Sequence, residues 1–146
     1  MRLEQVEESL APFRMVMGIQ VPRGGWVKAI QGALGMTNVQ LARRMRKVPQ
    51  TIEDMQQYEA AGTIKLKTLR ELAEALDCQL VYSLVPKKTL DEIRIEQARK
   101  IARTQLKITS HSMELENQGV GPDVEERQLQ RLVAKLLAGN PKKLWG

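Results

Sequence analysis

The chain has 146 residues, 42% of them hydrophobic, which suits one ordinary domain or a small domain with a helical extension. Its formal net charge of +6 suits a polyanionic partner. Aromatic residues make up only 3%, which argues against binding of single strands by base stacking, and the single cysteine and single histidine exclude a disulfide framework and a Cys/His zinc site within one chain. Acidic N-terminal residues and the lack of a membrane-length apolar run predict a cytoplasmic protein with no signal peptide and no membrane partner.

The first third of the chain predicts two helices. Apolar residues at helical spacing predict a helix over residues 2–14, and the stretch 21–25, which contains Pro and Gly, predicts a loop. A second helix is predicted over 26–34, with Gly35 as its stop. The residues that we expect it to bury are Trp26, Val27, Ile30 and Leu34.

Two further helices are predicted close together, over 37–45 and 49–57, and this pairing is typical of a DNA-binding helix-turn-helix. Pro49 suits the first position of the second helix, because its missing N–H costs nothing there. The residues expected to face inward are Val39, Leu41, Ala42 and Met45 in one helix and Ile52 and Met55 in the other. The outer face then carries short polar side chains suited to reading base edges, namely Gln50, Thr51, Asp54 and Gln57.

A helix over 67–76 leads into residues 79–85, whose alternating β-branched and apolar pattern predicts a strand that ends at Pro86. One strand cannot satisfy its own backbone. It therefore needs a partner from the N-terminal segment, from a second copy of the chain or from another protein.

The remainder of the chain predicts two helices and a tail. Thr89 and Glu92 predict a capping box at the start of a long helix that continues to about residue 117. A last helix is predicted from Asp123 to Gly139, followed by a basic tail in which Trp145 is available as a packing anchor.

Residues 26–86 resemble the phage-repressor-like (Xre-type) helix-turn-helix family, and the whole chain resembles the small bacterial mobile mystery protein A family. The resemblance is carried by residues 34–37 (Leu-Gly-Met-Thr), 40–44 (Gln-Leu-Ala-Arg-Arg), 59–64, 73–78 and 80–86. Two positions depart from the family pattern. Arg46 occupies the left-handed turn position usually given to Gly, and Val48 replaces the usual Ser or Thr cap of the second helix.

What the resemblance implies for DNA is a division of roles between two sets of side chains. The residues that would read bases in the major groove are Gln50, Thr51 and Asp54. Those that would contact phosphate are Asn38, Arg43 and Lys47.

Genes of the mobile mystery protein A family commonly lie beside a gene for a Fic-domain protein, an enzyme that transfers AMP from ATP to a target hydroxyl. Residues 112–117 (Ser-Met-Glu-Leu-Glu-Asn) match the Fic-inhibitory pattern Ser/Thr-x-x-x-Glu-Gly/Asn, with Ser112, Glu116 and Asn117 at the defined positions. The resemblance implies that the motif lies on a helix against the Fic active site, where Glu116 pairs with an Arg that would otherwise hold the γ-phosphate of ATP. At i and i+4, Ser112 and Glu116 share a helix face and can point at one cleft.

We therefore expect a mainly α protein with an N-terminal helix and loop (1–25), a helix-turn-helix domain with one short strand (26–86) and a helical C-terminal arm (87–146). The expected function is an antitoxin that inhibits a Fic-domain AMP-transferase and represses its own operon. On its two-fold operator we expect a homodimer, with the 79–85 strand as the candidate contact between the copies. No cofactor and no enzymatic activity are expected, because the sequence offers no nucleophile–base pair, metal constellation or phosphate loop. Two alternatives stay open: a DNA-binding regulator whose arm serves only dimerisation, and an inhibitor that no longer binds DNA.

Overall fold

The structure is a computed structural model that describes the backbone of residues 1–115 and 121–146 and the side chains of residues 1–108 and 121–146. The chain is mainly helical, as the sequence predicts. The described residues form seven α-helices and one short 3-10 helix, in the order α1 (Leu3–Arg14), α2 (Trp26–Ala33), α3 (Asn38–Met45), α4 (Pro49–Ala61), α5 (Leu66–Ala75), α6 (Leu90–Leu115), α7 (Pro122–Ala138) and the 3-10 helix (Pro141–Leu144).

Residues 79–85, which the sequence predicts as a strand, take no regular secondary structure in the described chain. The physical reason is the one anticipated from the sequence. A strand is defined by its ladder to a neighbour, and within the described part of the chain no second strand lies beside this segment.

The chain divides into two compact units. The central unit comprises Met15–Leu84, and the terminal unit joins Met1–Arg14 to Val85–Gly146. Nothing in the sequence signalled that the first helix would share a unit with the last sixty residues. It does so because α1 packs on α6 across this long separation.

The core of the central unit is aliphatic, as the composition requires, and its fully or nearly fully buried residues are Val27, Leu41, Ala42, Ile52, Leu72 and Leu76. Met45 and Met55 pack against this cluster, so these predicted inward positions are confirmed.

Three predicted core residues of the central unit are exposed instead, namely Trp26, Leu34 and Val39. Trp26 and Leu34 stand at the two ends of α2, where a side chain extends beyond the core. Val39 follows Asn38, and the inward stripe of α3 is set by residues 38, 41, 42 and 45, about 100° away from Val39 around the helix.

The terminal unit is built around α6, which packs against both α7 and the 3-10 helix. Ala98 and Ala102 are completely buried one helical turn apart, and small side chains there let the neighbouring elements approach closely. Leu144 anchors the tail, because its side chain is 1% exposed and its carbonyl accepts a hydrogen bond of 2.7 Å from Gln97 Nε2. Trp145, the anchor suggested by the sequence, is 58% exposed.

Local residues contribute to the starts of both long helices in the terminal unit. The predicted capping box of α6 is confirmed, since Thr89 N–H donates to Glu92 Oε2 at 3.0 Å and Glu92 N–H donates to Thr89 Oγ1 at 3.1 Å. Helix α7 begins one residue earlier than predicted, at Pro122, whose missing N–H is no loss at the first helical position.

Candidate nucleic-acid interface

The connection between α3 and α4 is a three-residue turn, 46–48, closed by the backbone. Arg46 has φ 56° and ψ 43°, which is the left-handed conformation predicted for this position. Lys47 N–H then donates to the carbonyl of Ala42 at 2.9 Å, which completes the end of α3. A side chain in this conformation costs roughly 1 kcal/mol relative to Gly, so the turn is held by its hydrogen bonds and by the core rather than by its sequence.

Helix α4 starts without a side-chain cap, as the sequence also predicts. Val48 is extended and offers no acceptor, and Pro49 occupies the first helical position. The backbone compensates in part, because Thr51 N–H donates to the carbonyl of Val48 at 3.0 Å.

The side chains predicted to read bases form one group, which we call the reading face: Gln50, Thr51 and Asp54. Gln50 is exposed, whereas Thr51 and Asp54 are half-buried. Gln50 Nε2 donates to Asp54 Oδ1 at 3.0 Å, so the two side chains are already oriented with respect to each other. On the helix, Gln50 and Asp54 lie opposite the buried Ile52 and Gln56, and the reading face is therefore turned away from the core.

Charges around this face have both signs. Arg43 and Lys47 are exposed, and neither has an ion-pair partner within the described residues. Arg44 reaches Asp77 at 3.5 Å, a long contact between two largely exposed groups that contributes little. Glu53 places an exposed carboxylate on α4 next to that of Asp54, so this helix carries two neighbouring carboxylates beside the exposed cations.

Asn38, the predicted phosphate contact at the start of α3, belongs to a polar network that sequence reasoning missed. Its Oδ1 accepts hydrogen bonds from Gln31 Nε2 at 2.8 Å and from Gln56 Nε2 at 3.3 Å. Gln56 Nε2 also donates to Gln31 Oε1, and Gln31 Nε2 donates to the carbonyl of Met36 at 3.1 Å. Three helices, α2, α3 and α4, are thus joined by side-chain amides.

Both glutamines of the network are nearly buried, with exposures of 6% for Gln31 and 8% for Gln56. Burial of these amides costs little free energy because no buried side-chain nitrogen or oxygen in the described residues lacks a hydrogen-bond partner. The signal in the sequence was a polar residue at a core spacing: Gln31 lies four residues after Val27, and Gln56 lies four residues after Ile52.

A second missed contact fixes the start of α2. Glu59, near the end of α4, accepts hydrogen bonds from Trp26 N–H at 2.8 Å and from Val27 N–H at 3.0 Å. The carboxylate lies against Gly25, whose φ is 93° and where a Cβ atom would stand 2.5 Å from Glu59 Cδ. Gly25 is therefore needed both for its conformation and for this close approach.

The Fic-inhibitory pattern falls largely outside the described residues. The backbone of Ser112 lies in α6, whose described part ends at Leu115, while Glu116 and Asn117 lie beyond it. The pattern 112–117 thus stays a prediction from the sequence.

Comparisons with known protein families, with curated proteins and with solved structures found no match. Within residues 1–115 and 121–146, no helix has the length and apolar character needed to cross a bilayer. The described side chains also include no group of three or more His, Cys, Asp or Glu residues placed to hold a metal ion.

Proposed function

We propose that this chain is a sequence-specific DNA-binding regulator that presents α4 to the major groove. The observation that carries the proposal is the reading face itself: an exposed amide and a carboxylate, hydrogen-bonded to each other, on the side of α4 opposite the core. Preorganised polar side chains of this kind match the donor and acceptor pattern of base edges.

Within this proposal the exposed cations and the polar network have separate roles. Arg43 and Lys47, free of ion pairs within the described residues, contact phosphates and set the register on the duplex. Asn38 adds an oriented donor, because its Oδ1 is occupied by two glutamine amides while its Nδ2 makes no hydrogen bond to any described residue. A phosphate oxygen is an acceptor and suits that amide nitrogen.

The test is a gel-shift titration of the full chain with the DNA upstream of its own gene, repeated over a series of salt concentrations. We expect Gln50→Ala to lose roughly 1–3 kcal/mol on the specific site and little on unrelated DNA. Arg43→Ala should weaken binding to both and reduce the salt slope by about 1. Arg127→Ala, which removes an exposed cation of α7, is the matched control and should change neither.

A complex that ignores salt, or one that Gln50→Ala and Arg127→Ala affect equally, would exclude α4 as the reading element. In that case the alternative in which the helix-turn-helix no longer binds DNA becomes the better description.

We also propose, from the 112–117 pattern and the family resemblance, that the C-terminal arm inhibits a Fic-domain AMP-transferase. The chemistry behind this second proposal is competition between two anions for one guanidinium. The carboxylate of Glu116 would occupy the Arg that otherwise binds the γ-phosphate of ATP, and the chain would act as an antitoxin.

This second proposal is tested by co-expressing the chain with the adjacent open reading frame and measuring transfer of labelled AMP from ATP. We expect no labelling with the natural chain and labelling with Glu116→Gly. Glu114→Gly, within the same hexapeptide but outside the pattern, should remain silent. If a stable complex forms but neither the natural chain nor either variant changes the labelling by the enzyme, the regulator-only alternative becomes the better description.

A further inference from the structure

A cleft of about 420 Å³ lies along one side of α6, within the terminal unit. Gln97, Lys100 and Arg103 border it from the helix at positions three residues apart, and Trp145 borders it beside the 3-10 helix. This spacing places the three side chains on neighbouring positions of one helix face, over about 9 Å of the axis. The volume is within the range of small-molecule binding sites.

One end of the cleft is aromatic, and its position is fixed by the residue before Trp145. Gln97 Nε2 donates to the carbonyl of Leu144 at 2.7 Å, and the Leu144 side chain is 1% exposed. The backbone of Trp145 is therefore held at the Gln97 end of the row, while its side chain is largely exposed. Gln97 Oε1 accepts no hydrogen bond from a described residue. This end thus offers an aromatic ring and an amide acceptor.

The other end is cationic, because the carboxylates of α6 lie in its first two turns and already have partners there. These carboxylates belong to Asp91, Glu92 and Glu96. From residue 97 to residue 108, α6 has four cationic side chains and no carboxylate. Lys100 and Arg103 border the cleft and have no ion pair within the described residues. Arg99 borders both this cleft and the groove toward α7, where Glu126 lies.

An aromatic ring and an acceptor at one end, with cations at the other, match the two parts of a nucleotide. A base can stack on the indole of Trp145 and donate an N–H to Gln97 Oε1. Phosphate oxygens can accept hydrogen bonds from Lys100 and Arg103. A duplex would use only the cations, because its bases are stacked on one another. One indole serves one base, which favours a single nucleotide over a strand of successive bases.

We propose that this cleft binds a single nucleotide, with its base against Trp145 and Gln97 and its phosphates against Lys100 and Arg103. The site lies wholly within the terminal unit and uses neither the reading face nor residues 112–117. Its failure can therefore be separated from failure of either proposed function.

The test measures binding of ADP to the full chain by isothermal titration calorimetry, up to roughly millimolar concentration. Adenosine and pyrophosphate, which each carry one part of the ligand, are titrated in the same buffer and salt. We expect ADP to bind about tenfold more tightly than either, because only ADP engages both ends of the cleft.

Two variants separate the two ends. Trp145→Ala should weaken binding of ADP about tenfold and leave that of pyrophosphate unchanged, because one base stack is lost. Lys100→Gln should weaken both ligands alike, again about tenfold, because a charge-assisted hydrogen bond to phosphate is lost. Trp26→Phe, in the central unit, and Arg127→Gln, an exposed cation of α7, are the matched controls and should change neither affinity. All four side chains are exposed, so each variant should keep the natural fold.

A chain that does not bind ADP would overturn the proposal. Equal affinities for ADP and pyrophosphate would also overturn it, because the cleft would then be a cationic patch without a base site. A short single-stranded oligodeoxyadenylate serves as the other source of the same chemistry. If it binds far more tightly than ADP and Trp145→Ala removes that difference, the site belongs to a strand and the single-nucleotide proposal is wrong.

Discussion

Each of the two units closes a helix start with a glutamate from a distant part of the chain, but they do so with different degrees of support. In the central unit, Glu59 holds the N–H groups of Trp26 and Val27. In the terminal unit, Glu7 accepts a hydrogen bond of 3.0 Å from Leu90 N–H. Both carboxylates meet the positive end of a helix, where a negative charge is favourable.

The two helix starts differ in how many other contacts stabilise them. Glu59 gives both oxygens to α2, a helix of eight residues whose N-cap, Gly25, makes no side-chain hydrogen bond. Glu7 also pairs with Arg14, which in turn donates to the carbonyl of Pro86 at 2.9 Å. Helix α6 has in addition its own capping box from Thr89 and Glu92.

Where one carboxylate alone holds a helix start, its removal should lower the free energy of unfolding of that unit strongly. Where several contacts share the role, the loss of one should lower it less. The chain provides a probe for each case, because Trp26 belongs to the central unit and Trp145 to the terminal unit. Trp145→Phe leaves a fluorescence signal from the central unit alone, and Trp26→Phe leaves one from the terminal unit. Urea unfolding in these two backgrounds reports each unit separately.

The largest effect is expected for Gly25→Ala. The backbone there has φ 93° and ψ 169°, a region almost confined to glycine, and the new Cβ would displace the Glu59 carboxylate from its two N–H donors. Strain and the lost cap together should lower the free energy of unfolding of the central unit by about 3 kcal/mol, measured through Trp26.

Gly32→Ala is the matched control, since this glycine lies within α2, with nothing within 4 Å of the position where a Cβ atom would be. Alanine there should be neutral or slightly stabilising. Equal losses at both glycines would show that the contact with Glu59 has no special weight.

Glu59→Ala should cost the central unit about 2 kcal/mol, because two N–H groups lose a charged acceptor and one of them, that of Val27, belongs to a buried residue. Glu53→Ala, on the same helix and exposed, should change the Trp26 transition little. The combination of Gly25→Ala with Glu59→Ala should cost less than the sum of the two, since both remove the same cap. Strict additivity would contradict the shared mechanism.

How far the sequence predicted these features depended on whether their cause was local. The helices and the capping box at Thr89 follow from residues within one or two turns, and both were predicted, whereas the left-handed turn at Arg46 was expected only from the family resemblance. Glu59 with Trp26 and Glu7 with Leu90 join positions 33 and 83 residues apart, and no periodicity reports such pairings. The reading face was predictable as an outward set, but its hydrogen bond between Gln50 and Asp54 required coordinates.

Glu7→Ala should have a smaller effect, about 1 kcal/mol on the terminal unit measured through Trp145. Leu90 N–H loses its acceptor, but the capping box remains and Arg14 keeps the carbonyl of Pro86. Glu8→Ala, an exposed neighbour on α1, is the control and should be neutral. A loss equal to that of Glu59→Ala would remove the distinction between single and shared support.

The smallest effect concerns a surface pair of the terminal unit and appears only at high pH. The hydrogen bond from Lys88 to Glu96, together with the negative charge of that carboxylate, raises the pKa of the Lys88 ammonium above its usual 10.5. The pair therefore contributes its full stability below about pH 10.5 and loses it as the pH rises through the raised value. Between about pH 10 and 12, the Trp145 transition of the natural chain should fall more steeply than that of Glu96→Gln, in which Lys88 loses the hydrogen-bonded carboxylate and keeps only the weaker influence of Glu92. Lys100→Gln controls for the general loss of lysine charge, because Lys100 has no ion pair within the described residues.

Since both ends of the Lys88 pair lie in water, parallel curves for the natural chain and Glu96→Gln would mean that solvent screening cancels the interaction, and that the stability of this helix start comes from Glu7 and the capping box alone.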